Sequence, residues 1–153
     1  MYQKILVPFD GSKHSKKSLD QAITIAKAMN GIIYLCTVVR VNPVVPPGSL
    51  LGLVREAEKG NLQKKLLSSA KTEAENMEQA QITYCKSKGV AAHYKIIIDG
   101  NVVEEILRVA KKKSIDLIVI GSQGLHGIGK IKTLGSVSRK VSELAHCPVL
   151  IVR

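Results

Sequence analysis

The sequence predicts an α/β fold: a three-layer, open, twisted sheet of five parallel strands with helices on both faces. Two observations predict it. Short apolar runs recur five times, at spacings of roughly 25–35 residues. Between them lie stretches whose apolar residues repeat every three or four positions, the period of a helix packed on one side. Strands alternating with helices make parallel neighbours through right-handed crossovers. At 153 residues, a single domain spanning 1–153 with its own core is the natural expectation.

Taken in order, Lys4 to Asp10 is an apolar run closed by Pro8 and Asp10, read as a buried first strand. Gly11 and Ser12 turn the chain, and Ser12 or Ser15 can cap the helix that follows. Leu19, Ala22, Ile23, Ala26 and Met29 form its apolar face, and Asn30-Gly31 ends it. Ile32 to Val39 is the second strand. Pro43, Pro46, Pro47, Gly48 and Gly52 then break regular structure, so 40–60 reads as a flexible loop, a candidate flap or partner contact. A long helix follows from Asn61 to Lys88, with Leu62, Leu66, Ala70, Met77 and Tyr84 on one face and its charges mostly elsewhere.

Val90 to Ile98 is the third strand, and Asp99-Gly100 turns the chain. Asn101 and Glu104 have the spacing of a capping box, opening a helix that turns Val103, Ile106, Leu107 and Ala110 inward. Its closing lysines, Lys111 to Lys113, suit a helix C-terminus and need no partner. Asp116 to Ile120 is the fourth strand. A last helix from Ser136 buries Val137, Val141 and Leu144, and Pro148 to Val152 is the fifth strand.

Composition narrows the function. Hydrophobic content of 45% excludes a disordered chain. One Phe, four Tyr and no Trp leave few platforms for stacking nucleic-acid bases. The net charge of +11 favours anionic partners. Cys36, Cys85 and Cys147 share no metal-type spacing and read as reduced thiols of a cytoplasmic protein. No apolar run approaches the ~18 residues of a membrane span.

The chemistry concentrates after the fourth strand. Gly121, Gly124, Gly127 and Gly129 fall within nine residues, followed by Gly135-Ser136 and a helix. Strand, glycine loop and helix form an arrangement that binds phosphate, because glycine admits an anion close to the backbone and helix-start amides point at it. Lys130, Lys132, Arg139 and Lys140 make the region basic. Ligands of open α/β sheets bind at the strands' C-terminal ends, where Pro8, Asp10, Val38 and the glycine loop would converge.

These residues resemble the universal stress protein family. The resemblance covers essentially the whole chain: the opening Lys4 to Ser12; the signature Gly121-Ser122-Gln123-Gly124 followed by Gly135-Ser136; and the close, His146 to Val152. It implies strand order 3-2-1-4-5, the adenine-nucleotide alpha-hydrolase-like architecture, and a homodimer through the last strand. It also implies Mg-ATP as ligand, with Gly121, Gly124, Gly135, Ser136 and Val137 on the phosphates and ribose. Pro8, Asp10, Val38 and Ile120 would then lie beside the adenine. The implied role is a stress-response or signalling switch, with at most slow hydrolysis. Ten residues separate Gly124 from Gly135, where the family pattern has nine.

Other readings compete with this one. A family member without ATP would act through protein or nucleic-acid contacts. Gly124 to Lys130 also fits the P-loop pattern, but Ile131 follows where Mg²⁺ chemistry wants Ser or Thr. A nucleic-acid module lacks an aromatic-basic motif. No metal-ligand set is evident in His14, His93, His126 and His146, which are dispersed, and no GxSxG or HExxH motif marks a catalytic centre.

Overall fold

A computed structural model describes residues 1–40, 56–125 and 133–153, with side chains at 56–59 excluded. The strands are β1 (Lys4–Pro8), β2 (Ile32–Val39), β3 (Ala92–Ile98), β4 (Leu117–Gly121) and β5 (Val149–Val152). The helices are α1 (Lys13–Met29), α2 (Glu56–Ser87), α3 (Val102–Lys112) and α4 (Ser136–Leu144). All strand pairs are parallel, in the order β3-β2-β1-β4-β5. The expected α/β sheet and its 3-2-1-4-5 order are therefore present.

Strand alternation divides the core in two. Ile5 and Val7 of β1 turn to one face, with Ile33, Leu35, Leu117 and Val119, and meet Leu19, Ala22, Ile23 and Ala26 of α1 and Cys85 of α2. Leu6 turns to the other face, with Cys36, Ile97, Ile118 and Ile120, and meets Ile106, Val109 and Ala110 of α3 and Val141 of α4. The strands carry apolar residues on both faces because helices cover both.

Local signals fix the helix ends. Ser12 caps α1 by accepting from the Ser15 amide at 3.1 Å, and Asn30 ends it in the left-handed conformation. Asn101 caps α3, accepting from the amides of Val103 and Glu104. Asp116 stitches β1 to β4 by accepting from the amides of Gln3 and Lys4 at 3.1 and 2.9 Å.

Several helix faces differ from their expected phase. Met29 and Leu144 are exposed, each lying at the last position of its helix, beyond the sheet it packs on. Residues 56–60 are helical rather than loop, and residues 41–55, the rest of the expected flap, lie outside the described residues. In α2 the exposed large apolar residues are Leu62, Leu66 and Tyr84, whereas Ala74, Glu78 and Cys85 are buried. The cause is geometric. A helix of 32 residues runs about 48 Å, nearly twice the length of an eight-residue strand. Its first turns outrun the sheet, and residues 60–66 are all exposed.

Candidate functional site

Strand order reverses beside β1, whose neighbours β2 and β4 lead away in opposite directions. A crevice opens there at the strands' C-terminal ends. It holds a cleft of about 630 Å³, within the range of small-molecule sites. All nine residues expected from the sequence line it: Pro8, Asp10, Val38, Ile120, Gly121, Gly124, Gly135, Ser136 and Val137. They come from the ends of β1, β2 and β4 and from the start of α4.

The cleft has two chemically distinct ends. One is apolar: Val38 and Cys36 of β2, Ile120 of β4, and Val102 and Ile106 from the first turns of α3. Arg40 stands at its rim, donating from Nε to the Gly100 carbonyl at 3.2 Å. The other end is backbone-rich. Gly135 is the N-cap of α4 in extended conformation, and no side chain among the described residues caps the helix. The first-turn amides of Ser136 and Val137 therefore lie at the cleft without a side-chain acceptor, a ready anion site. Ser138 is buried beneath them, its hydroxyl within hydrogen-bond reach of the carbonyls of Ser122 and Gly135.

The glycine-rich connection is clasped at its flanks. The Gly135 amide donates to the Ser122 carbonyl at 2.7 Å, and Gln123 Nε2 donates to the Thr133 carbonyl at 3.2 Å. Asp10 ties the connection to β1: its Oδ1 accepts from the Ser12 amide and its Oδ2 from the Leu125 amide. A Cβ at Gly124 would stand 2.8 Å from that same Oδ2, so only glycine fits the approach without displacing the carboxylate. Gly127, Gly129, Lys130, Lys132 and His126 lie outside the described residues.

Sequence reasoning missed, among other lining residues, Cys36, Arg40, Val102, Ile106, Gln123 and Ser138. The apolar ones carried a signal in their strand and helix periodicity, but packing explained that signal equally well. Burial, with a smaller contribution from Glu78, pushes the Cys36 thiol up to about 12, so it is held protonated at neutral pH and is no nucleophile there. Among the described residues no group of three or more His, Cys, Asp or Glu is placed to hold a metal. No described helix is long and apolar enough to cross a membrane.

The model of the universal stress protein family matches residues 1–153. Universal stress protein YxiE of Bacillus subtilis is 40% identical, over the full length of both chains. Among solved structures, universal stress protein UspA from Lactobacillus plantarum superposes with a TM-score of 0.82 at 23% identity, covering 99% of this chain and 98% of its own. A universal stress protein solved in complex with cAMP superposes with a TM-score of 0.69 at 24% identity, covering 99% and 97%. The chain belongs to the universal stress protein family.

Proposed function

We propose that the cleft binds an adenine nucleotide, ATP with Mg²⁺ in the first instance, and that the protein acts as a homodimeric stress-response switch. One observation carries the reading: a helix start without a described side-chain cap and a set of apolar side chains line a single cleft. The amides of Ser136 and Val137, beside Gly121, Gly124 and Gly135, fit phosphates and ribose. Pro8, Asp10, Val38 and Ile120 fit a flat purine. The flanking clasps, Gly135 to Ser122 and Gln123 to Thr133, hold the two sides of the phosphate end together whatever the number of residues between them. The ten-residue spacing is thus compatible with an intact cradle. Mg²⁺ would be held chiefly by the phosphates, with Asp10 the carboxylate in the cleft. When bound, the ion neutralises phosphate charge.

The complex with cAMP reported for another family member supports this class of ligand. The dimer reading is supported by β5, which among the described residues is an edge strand paired with β4 and carries an exposed Leu150. A cytoplasmic setting suits three free cysteines. Any hydrolysis is expected to be far slower than a typical turnover of ~10 per second, because the carboxylate described in the cleft, Asp10, is engaged by the Ser12 and Leu125 amides.

The test is calorimetric titration of nucleotide-stripped protein with Mg-ATP, AMP and adenosine. Saturable binding that weakens as phosphates are removed supports the reading. Absence of binding by all three sinks it, and the protein would then act through protein contacts.

A further inference from the structure

Glu78 of α2 is fully buried, alone among the acids of the described residues. Its Oε1 meets the Thr37 hydroxyl, which also meets the Phe9 carbonyl oxygen at 2.7 Å. Its Oε2 is buried without a partner among the described residues. A threonine hydroxyl has one hydrogen, and a carbonyl oxygen can only accept. The contact with Phe9 therefore uses the Thr37 hydrogen. The hydrogen in the second contact must come from Glu78, as a neutral acid donating to Thr37 Oγ1. An ionised Glu78 can only accept. The Thr37 hydrogen would turn to it, leaving the carbonyl of buried Phe9 unpaired. Phe9 directly precedes Asp10, and both line the cleft.

We propose that Glu78 and Thr37 are positioning residues for the ligand cleft: the neutral acid, acting through the Thr37 hydroxyl, holds the Phe9 carbonyl and with it the Pro8–Asp10 edge, and loss of the proton releases that edge. Its effect on affinity rests on the nucleotide reading above. The proton relay itself belongs to the ligand-free chain.

The surroundings leave Glu78 without an opposing charge. Burial pushes its carboxyl up to about 7, and a Thr37 hydrogen turned toward the ionised form acts in the opposite direction without outweighing it. On β2 the Cys36 thiol, and on α2 the Cys85 thiol, feel its charge, and burial holds them at about 12 and about 11. From β3, Tyr94 shares the sheet face that α2 covers, as the partner of Leu35 in register. From α1 the buried residues are Ser15, Ser18, Leu19, Ala22, Ile23 and Ala26, none titratable, and Asp20 is engaged by the Tyr84 hydroxyl. Beside Phe9, the Asp10 carboxylate is turned to the Ser12 and Leu125 amides. Among the described residues no Lys, Arg or His pairs with Glu78. Next to it, Met77 Sδ packs 3.0 Å from where a Gly11 Cβ would stand, fixing α2 against the turn that follows Asp10.

The test has two readouts. In ligand-free protein, carbon NMR should show the Glu78 carboxyl and the Phe9 carbonyl titrating together near neutral pH. In Glu78→Gln the Phe9 signal should stay at its low-pH position, because the amide N–H can donate to Thr37 as the acid does. Thr37→Val should uncouple Phe9 from Glu78 altogether, and it serves as the second variant if Glu78→Gln folds poorly. In calorimetry the wild type should bind Mg-ATP several-fold more weakly at about pH 8 than at about pH 6, with the excess slope absent in Glu78→Gln, which retains any contribution from the ligand's own phosphates. A Phe9 signal that ignores Glu78, or identical pH slopes in wild type and Glu78→Gln, overturns the proposal. If Mg-ATP does not bind at all, the nucleotide reading fails and the NMR titration alone decides the relay.

Discussion

The Asp10 carboxylate accepts from the backbone amide of Leu125 at 3.2 Å, across 115 residues of sequence. This bond joins the end of the first strand to the start of the glycine-rich connection, and Gly124 is the residue it passes over. A Cβ at Gly124 would compete with Asp10 Oδ2 for the same space. Gly124→Ala should therefore destabilise the protein by about 1–2 kcal/mol, and Asp10→Ala by a similar amount through two lost acceptor bonds. The double variant should fall short of the sum by at least about 0.5 kcal/mol, since removing the carboxylate makes room for the methyl. Denaturant unfolding of the four proteins measures this. Strict additivity would mean that the loop does not depend on the contact.

The uncapped start of α4 yields a prediction that separates stability from binding. Gly135 has extended backbone angles that any residue can adopt, and its neighbour across the turn is the Ser122 carbonyl. Gly135→Asp should supply the missing N-cap, with a gain of up to about 1 kcal/mol offset by a tight Cβ contact. The thermal midpoint should stay within a few degrees of the wild type. Nucleotide affinity should fall at least about tenfold, because a carboxylate would occupy the amides and repel the phosphates. If Mg-ATP bound Gly135→Asp as tightly as the wild type, the phosphates could not sit at this helix start.

Much of this arrangement is legible in the sequence, because strands and turns advertise themselves. Ile32 to Val39 could be bounded to the residue, since an apolar run ended by Asn30-Gly31 on one side and polar Arg40 on the other leaves no freedom of phase. The cleft was legible for the same reason: β1, β2 and β4 must end on one side of a parallel sheet. The face of α2 was not. Its apolar residues are sparse, and a helix that outruns its sheet exposes Leu62 and Leu66 while burying an acid. No sequence rule marks Glu78 as the buried one among its neighbours Glu73 and Glu75. Only the position of Thr37 beneath it does.

The exposed edge of β5 carries the prediction for assembly. Leu150 is 39% exposed on a strand whose outer edge has no partner among the described residues. Leu150→Asp should leave the monomer folded, because surface substitutions on an edge strand cost little, and should shift a dimer toward monomer. Light scattering coupled to size exclusion reads the mass of both proteins. A wild-type monomer at high concentration, or an unshifted variant dimer, would exclude β5 as the interface.

The last prediction concerns stability and pH. Glu78 titrates at about 7 in the fold, against an ordinary 4.5. Below about pH 4.5 both the folded and unfolded chains hold this proton, and the neutral acid's favourable fit is fully expressed. Between the two values the folded chain still holds a proton that the unfolded chain has released, so stability falls as pH rises. Above about 7 the loss is complete, and the full difference is on the order of 3 kcal/mol. Other groups titrate in the same window, so the comparison with Glu78→Gln isolates this one. The two proteins should be nearly equal in stability at about pH 4.5, and the variant should gain on the wild type steadily up to neutrality. Urea unfolding at a series of pH values gives the difference directly. A constant gap between the two across that range would mean that the acid is already ionised in the fold, and that the Phe9 carbonyl is not held by the hydrogen assigned to it.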